Sequence, residues 1–247
     1  MGRYDVSYYK CDDCGFIQTE SPFWLKEAYS DAITDLDIGY VTRNLVNRDI
    51  TSSVIKYLFH SKGRFIDYGG GYGLFVRLMR DCGYDFYRQD AFCENLFAKY
   101  FDINDCREEV DSFSLLTAFE VFEHLEQPIA EIEKMLSYSK SILFSTELQP
   151  DMSLISPNQW EYFSLETRQH ISFYSLKSLL VIAEKYDLKL YSNGKNLHLL
   201  TTRQLPFNYI SLIYYKQQIK DRLLGRNFNK KNSMLHGDYQ YIKDTIS

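Results

Sequence analysis

Two carboxylates and a run of glycines are the first residues that could do chemistry. Asp67 opens the stretch Asp67-Tyr68-Gly69-Gly70-Gly71-Tyr72-Gly73, and Asp90 follows it by 23 residues. Glycines at 69, 71 and 73 let the backbone turn sharply and leave no side chain between the loop and a ligand lying on it. Asp90 ends an apolar stretch at an interval close to the roughly 20 residues that separate such a loop from a ribose-binding carboxylate. A carboxylate there accepts both ribose hydroxyls; the plainer reading is a turn aspartate.

The kind of ligand follows from what the loop lacks. A dinucleotide fingerprint needs another glycine at position 74, where this chain has Leu74. Asp67 would repel a pyrophosphate but pairs well with an ammonium group. S-adenosylmethionine carries an ammonium and no phosphate.

Further chemistry-bearing residues lie downstream. Glu120-Val121-Phe122-Glu123-His124-Leu125 follows an apolar run, and Trp160, Tyr162, Phe163 and His170 gather in a stretch without a clear period. Such aromatics beside strand ends suggest a lid or an acceptor wall. His170 titrates near neutrality and is the first candidate for a general base, with a hydrogen-bonded structural role as the alternative. His124 and Tyr162 are the other catalytic candidates, His124 being also a residue that orders its turn. Cys11-Asp12-Asp13-Cys14-Gly15 is half of a zinc site, because no second pair follows at a known spacing. It is a turn with two thiols, a half-site, or a pair pooled with that of a second chain in a homodimer. No metal ligands are assigned.

These residues need elements to position them. Residues 64–68 read as a buried strand, 74–82 as a helix stopped by Gly83, and 84–90 as a second strand. A short helix is expected around 95–100, and a third strand falls somewhere in 91–112. Residues 113–119 make a buried strand, Pro128 opens a helix with Ile129, Ile132, Met135 and Leu136 on one face, and 141–145 form another strand. Ser175 caps a helix whose expected core face is Leu176, Leu179, Leu180 and Ala183. Asn193-Gly194 between apolar runs at 188–191 and 197–202 is a strong hairpin signal. Upstream, Trp24, Leu25, Ala28 and Tyr29 fall at helical spacing, and Thr51 or Ser52 caps a helix carrying Val54, Ile55, Leu58 and Phe59. Those helices are expected to pack on the sheet, with Tyr40 and Arg43 closing over a ligand as the lesser alternative. Residues 210–224 read as a last helix with Leu212, Ile213 and Leu223 apolar.

Composition bounds the rest. With 247 residues, 45% of them hydrophobic, the chain buries one sizeable core plus a small appended module. A formal net charge of −5 argues against nucleic acid as a partner, and the basic cluster Arg226, Lys230 and Lys231 reads as a solvated tail. No run approaches the roughly 20 apolar residues of a membrane span, no signal peptide is apparent, and five cysteines, an odd number, suit reduced thiols. A cytoplasmic location is expected.

The glycine stretch, Asp90, Thr117-Ala118-Phe119-Glu120-Val121-Phe122-Glu123-His124-Leu125 and Gln169-His170-Ile171-Ser172-Phe173-Tyr174-Ser175 together resemble class I S-adenosylmethionine-dependent methyltransferases. The likeness is to the bacterial group labelled methyltransferase domain type 23, over about residues 60–202. It implies a Rossmann-like, doubly wound, mostly parallel seven-stranded α/β sheet ending in an antiparallel hairpin, with an N-terminal helical extension and a C-terminal helical tail. The implied divisions are a knuckle and helical cap at 1–60, a cofactor-binding domain at 61–203 with an acceptor insert at about 148–174, and a helix and tail at 204–247. Asp67 with Gly69, Gly70, Gly71 and Gly73 would hold the methionine end of S-adenosylmethionine, Asp90 with Ala91 the ribose, and Phe119 and Glu120 would line the sulfonium. The product would be S-adenosylhomocysteine.

A weaker similarity links the chain to sugar C-methyltransferases, which carry a four-cysteine zinc module and a Tyr, Glu and His trio. Here Gln169 and Thr167 stand where that acid and tyrosine are expected, which argues against carbon deprotonation. The implied activity is methylation, on oxygen, of a small or carbohydrate-derived acceptor in bacterial glycan biosynthesis. The reading from another class is a catalytically silent cofactor-binding scaffold, with the half metal site and the tail as contact surfaces.

Overall fold

The computed structural model describes residues 5–25, 37–106, 112–150, 160–165, 167–227 and 234–246. Ala28, Tyr29, Lys230 and Lys231 lie outside them, as does part of the acceptor insert; the side chains of Leu223 and Arg226 are likewise not described.

Strand and helix alternate through the middle of the chain. β3 (Arg64–Tyr68) leads through the glycine loop to α2 (Leu74–Asp81) and β4 (Asp85–Gln89). β5 (Leu115–Ala118), α3 (Pro128–Tyr138) and β6 (Ser141–Ser145) follow, then α4 (Leu176–Lys185), β8 (Lys189–Ser192) and β9 (Leu197–Thr201). The sheet order is β4-β3-β5-β6-β9-β8, parallel through the first four strands and antiparallel at the closing hairpin. The Asn193 carboxamide oxygen accepts the backbone N–H groups of Lys195, Asn196 and Leu197, and Gly194 takes φ 74°, so the hairpin turn rests on the two residues that announce it.

Both faces of the sheet are covered. Ile66, Leu116, Ile142 and Phe144 pack against α3 and α4, whereas Phe65, Leu115, Leu143 and Leu199 pack against α1 (Tyr40–Leu58), α2 and α5 (Tyr209–Asn227). Successive residues of β3 thus feed opposite layers, as the pleat requires. α6 (Leu235–Ile246) follows α5, and no helix among the described residues is long and apolar enough to cross a membrane.

Four local expectations change. The expected strand between β4 and β5 is represented, among the described residues, by one parallel bridge from Arg88 to Asp102. Asp102 caps the following short 3-10 turn, Ile103–Asp105, which curls the chain out of extended geometry. Residues 95–100 form no helix: the Asn95 side chain bonds Ala98 N–H and carbonyl, and Leu96 and Phe97 give their N–H groups to the Tyr72 carbonyl. Thr51 caps nothing; it sits fully buried inside the 19-residue α1, which starts at Tyr40. On α4 the core face is Leu179, Ile182 and Ala183, while Leu176 and Leu180 are about half exposed. Ser175 does cap α4, accepting the Ser178 N–H at 3.0 Å.

A second, small sheet stands over the strand ends. β1 (Tyr8–Lys10) and β2 (Ile17–Thr19) form a hairpin around the cysteine knuckle, and β2 pairs antiparallel with β7 (Ser172–Phe173) of the insert. Ile17, Trp160, Phe163 and Phe173 pack together beneath it.

Candidate active site

The glycine loop lies at the carboxyl end of β3, where the chain crosses from β4 on one side to β5 on the other, the switch point at which open α/β sheets bind ligands. Gly69, Gly71 and Gly73 take φ of 66°, 52° and 83°. A Cβ on Gly69 would stand 2.7 Å from Val121 Cγ2, one on Gly70 2.7 Å from Arg88 Cγ, and one on Gly73 2.7 Å from Asn95 Oδ1. On Gly71 the nearest atom would be Tyr40 Oη at 3.7 Å, so the loop is sealed below and open at Gly71.

Asp67 lies at the floor of this cradle, buried, with Oδ1 accepting the Thr117 hydroxyl at 2.6 Å. Burial pushes its pKa up to about 7, against the pull of that hydrogen bond. A buried carboxylate in this state favours an incoming cation. Tyr40 is pushed up to about 12 by burial and by the charge of Asp67. Arg43, one turn along α1, pairs with Asp37 at 2.8 Å and approaches Glu120 at 3.8 Å. Tyr40 and Arg43 therefore stand at the cradle and not only against the sheet.

Asp90 follows β4 and is held as a turn residue. Its Oδ2 accepts the Gly71 N–H at 2.9 Å, and Oδ1 accepts those of Phe92 and Cys93 at 2.8 Å. A carboxylate offers about four lone-pair sites, so three backbone donors leave room for a hydroxyl. Ala91 is exposed beside it.

Arg88, absent from the sequence reading, holds this side together. It is 5% exposed, and its guanidinium donates to Asp102 at 2.6 Å, to the Gly71 carbonyl and to the Cys93 carbonyl at 2.9 Å. The available signal was an arginine in phase with the inward-facing Phe86 on an alternating strand.

Phe119 packs edge-on to Phe75 of α2, with centroids 5.3 Å apart. Glu120 takes φ 55°, in the left-handed region, and Ser145 fixes it: the Ser145 Oγ accepts the Glu120 N–H at 2.8 Å and donates to Glu120 Oε1 at 2.7 Å. This corner turns the chain into the 3-10 turn Phe122–His124. The insert is sewn to that turn: Ile171 N–H donates to the Glu123 carbonyl at 2.8 Å, Ser172 Oγ to that of Leu125 at 2.6 Å, and Tyr174 Oη to that of Phe122 at 3.2 Å.

The three catalytic candidates meet there. The rings of His124 and His170 lie 4.9 Å apart between centroids, and those of Tyr162 and His170 4.7 Å apart. Burial lowers the pKa of both histidines, and the imidazolium of His170 is further disfavoured by its neighbour His124. Burial and the charge of Glu123 raise that of Tyr162. Glu123, which sequence reading treated only as a neighbour of His124, is fully buried at the centre of the group. Beside it a cleft of about 450 Å³ is lined by Glu147, Trp160, Glu161, Tyr162 and Ser164.

The model of the type 23 methyltransferase domain, described as a methyltransferase domain, matches residues 43–193, more than half of the chain. The chain belongs to this methyltransferase domain family. It is accordingly an S-adenosylmethionine-dependent methyltransferase, and the open cradle over a buried carboxyl whose pKa is pushed up by burial fits that cofactor. No curated protein matches the chain significantly. Among solved structures, the plantazolicin methyltransferase BpumL in complex with a monoazolic desmethylPZN analog and S-adenosylhomocysteine is 14% identical, with a TM-score of 0.52 over 82% of this chain and 88% of that one. The same enzyme with a triazolic analog is 16% identical, with a TM-score of 0.51 over 84% and 90%. At these identities the likeness is one of fold.

Proposed function

We propose that this methyltransferase methylates an oxygen of a small or carbohydrate-derived acceptor, with bacterial glycan biosynthesis as its setting. The observation that carries the reading is the Phe119–Glu120 corner, which joins the glycine cradle on one side to the cluster of Glu123, His124, Tyr162 and His170 on the other. Asp67 and the loop backbone hold the methionine end, Asp90 with Ala91 the ribose, and Phe119 and Glu120 line the reacting centre. When bound, S-adenosylmethionine supplies a methyl group already activated on a sulfonium, so the chain's task is alignment and activation of the acceptor oxygen. The polar cluster beside the cleft is suited to that activation, and the β1–β2 hairpin backs the acceptor wall through its pairing with β7.

Calorimetry with S-adenosylhomocysteine should give micromolar binding, weakened in Asp90→Ala. His170→Ala should keep that affinity and lose transfer of a labelled methyl group to candidate sugars and small metabolites. Unchanged turnover in His170→Ala would remove the cluster from the reaction.

A further inference from the structure

Glu123 has no exposed surface, and neither Oε1 nor Oε2 has a hydrogen-bond partner. An ionised carboxylate buried in that state costs several kcal/mol unless a cation or a proton compensates it. Among the described residues, the arginine whose charge is felt at Glu123 is Arg43, which already pairs with Asp37 at 2.8 Å and approaches Glu120 at 3.8 Å. Glu120 raises the cost of ionising Glu123, and His170 and Tyr162 lower it. The groups that come within ligating reach are imidazoles. One ligating atom from each of Glu123, His124 and His170 lies within 4.8 Å of the others.

The two rings are held in a defined tautomer. His124 Nδ1 lies 2.9 Å from the Gln169 carbonyl oxygen, and His170 Nδ1 lies 2.6 Å from that of Tyr162. A carbonyl oxygen only accepts, so each Nδ1 carries the hydrogen and each neutral ring keeps its lone pair on Nε2. Anchoring one ring nitrogen to a carbonyl while the other stays unprotonated is the usual preparation of a metal-binding histidine. The backbone is fixed as well, by the 3-10 turn at Phe122–His124 and by Ile171 N–H on the Glu123 carbonyl.

We propose that Glu123, His124 and His170 form an open binding site for a divalent first-row transition-metal ion. Two imidazoles and one carboxylate are a three-ligand set that suits zinc, iron(II) or manganese(II) and leaves coordination positions vacant, whereas calcium and magnesium favour oxygen ligands. Ligand atoms about 2.0–2.1 Å from such an ion are roughly 3.3 Å apart, so closing from the observed separation takes side-chain shifts of about an ångström. Glu120, on the same turn, adds negative potential. Tyr162, which receives the His170 N–H on its carbonyl, also lines the cleft, so a vacant position on that side would face the acceptor. That last role rests on the acceptor reading above; the binding of the ion does not.

The test is a titration of metal-free full-length protein with Co²⁺ and Zn²⁺, followed by calorimetry and by cobalt absorption, beside titrations with S-adenosylhomocysteine. One ion per chain is expected. The Cys11→Ser/Cys14→Ser double variant should keep this stoichiometry and show no thiolate-to-cobalt charge-transfer band. Glu123→Gln and His170→Ala should each lower metal affinity more than about tenfold while S-adenosylhomocysteine binding, the check on folding, is unchanged. Absence of uptake by the wild-type protein would overturn the site, as would uptake that disappears with the cysteines and ignores Glu123→Gln. Metal uptake of the expected pattern without methyl transfer to any oxygen acceptor would support the site and defeat the acceptor reading instead.

Discussion

Asp67 can be tested as a single residue because its burial sets an unusual starting state. Its carboxyl is pushed up to about 7, so below neutrality the free protein holds a proton there. Pairing with the methionine ammonium favours the ionised form, and binding must then expel that proton. S-adenosylhomocysteine affinity should therefore rise with pH up to about 7, by roughly tenfold per unit, and decline above about 8 as the ligand's own α-amino group loses its charge. Calorimetry in two buffers of different ionisation enthalpy reads the released proton directly. Asp67→Asn should bind more weakly and without the rising limb; an affinity flat from pH 6 to 8 in the wild type would place the ammonium elsewhere. The sequence made Asp67 legible because an acid before a glycine loop has few roles. Glu123 was not legible in the same way, since its partner His170 is 47 residues away and only the fold brings the two together.

At the scale of elements, β4 does more than pair with β3. Its inward residues are Phe86 and Arg88, and Arg88 ties the loop after β4, the glycine loop and Asp102 to one guanidinium. Arg88→Leu should cost about 2–4 kcal/mol in urea unfolding, the size expected for several charge-assisted hydrogen bonds on a buried group, and should weaken S-adenosylhomocysteine binding as Gly71 loses its anchor. A change within about 0.5 kcal/mol, the range of ordinary surface substitutions, would show that the clamp is redundant. The same clamp explains why residues 91–112 were the least readable part of the chain. Residues 91–106 are ordered by the Arg88 and Asn95 side chains taking over backbone groups and by Asp102 joining the two, which leaves no periodicity to detect. The parallel strands and the Asn193-Gly194 hairpin were readable because burial on both faces and turn chemistry are written in local sequence. The β2–β7 pairing was not, because three- and two-residue strands carry almost no pattern and are fixed by Ile17 and Phe173 meeting in a shared apolar cluster. α1 misled for the opposite reason: Thr51 looks like a cap, but full burial of the helix face carries it through.

For the molecule as a whole, these buried groups set how stability responds to pH, and their signs oppose one another. Asp67 has a folded pKa raised from 3.8 to about 7. Between those values the native state holds a proton that the unfolded chain has released, so its contribution is lost as pH rises, at about 1.4 kcal/mol per unit. His198 lies fully buried on β9, with Nδ1 at 2.9 Å from Ser192 Oγ and Nε2 at 3.0 Å from the Thr146 carbonyl, and burial lowers its pKa from 6.5 to about 4. In that window the unfolded chain binds the extra proton, so this contribution is lost as pH falls. From about pH 4 to 6.5 the two slopes cancel, and neither group is visible in the wild-type profile alone. Single variants should separate them. Relative to the wild type, Asp67→Asn should gain stability steadily from pH 4 to 7, while His198→Phe should gain most at the acid end and progressively less towards pH 6.5. Urea unfolding at matched pH gives both difference curves. A difference curve for His198→Phe that is flat across the window would mean that the histidine is protonated in the folded state. The junction of β9 with the end of β6 would then have to accommodate a buried imidazolium donating to both Ser192 and Thr146.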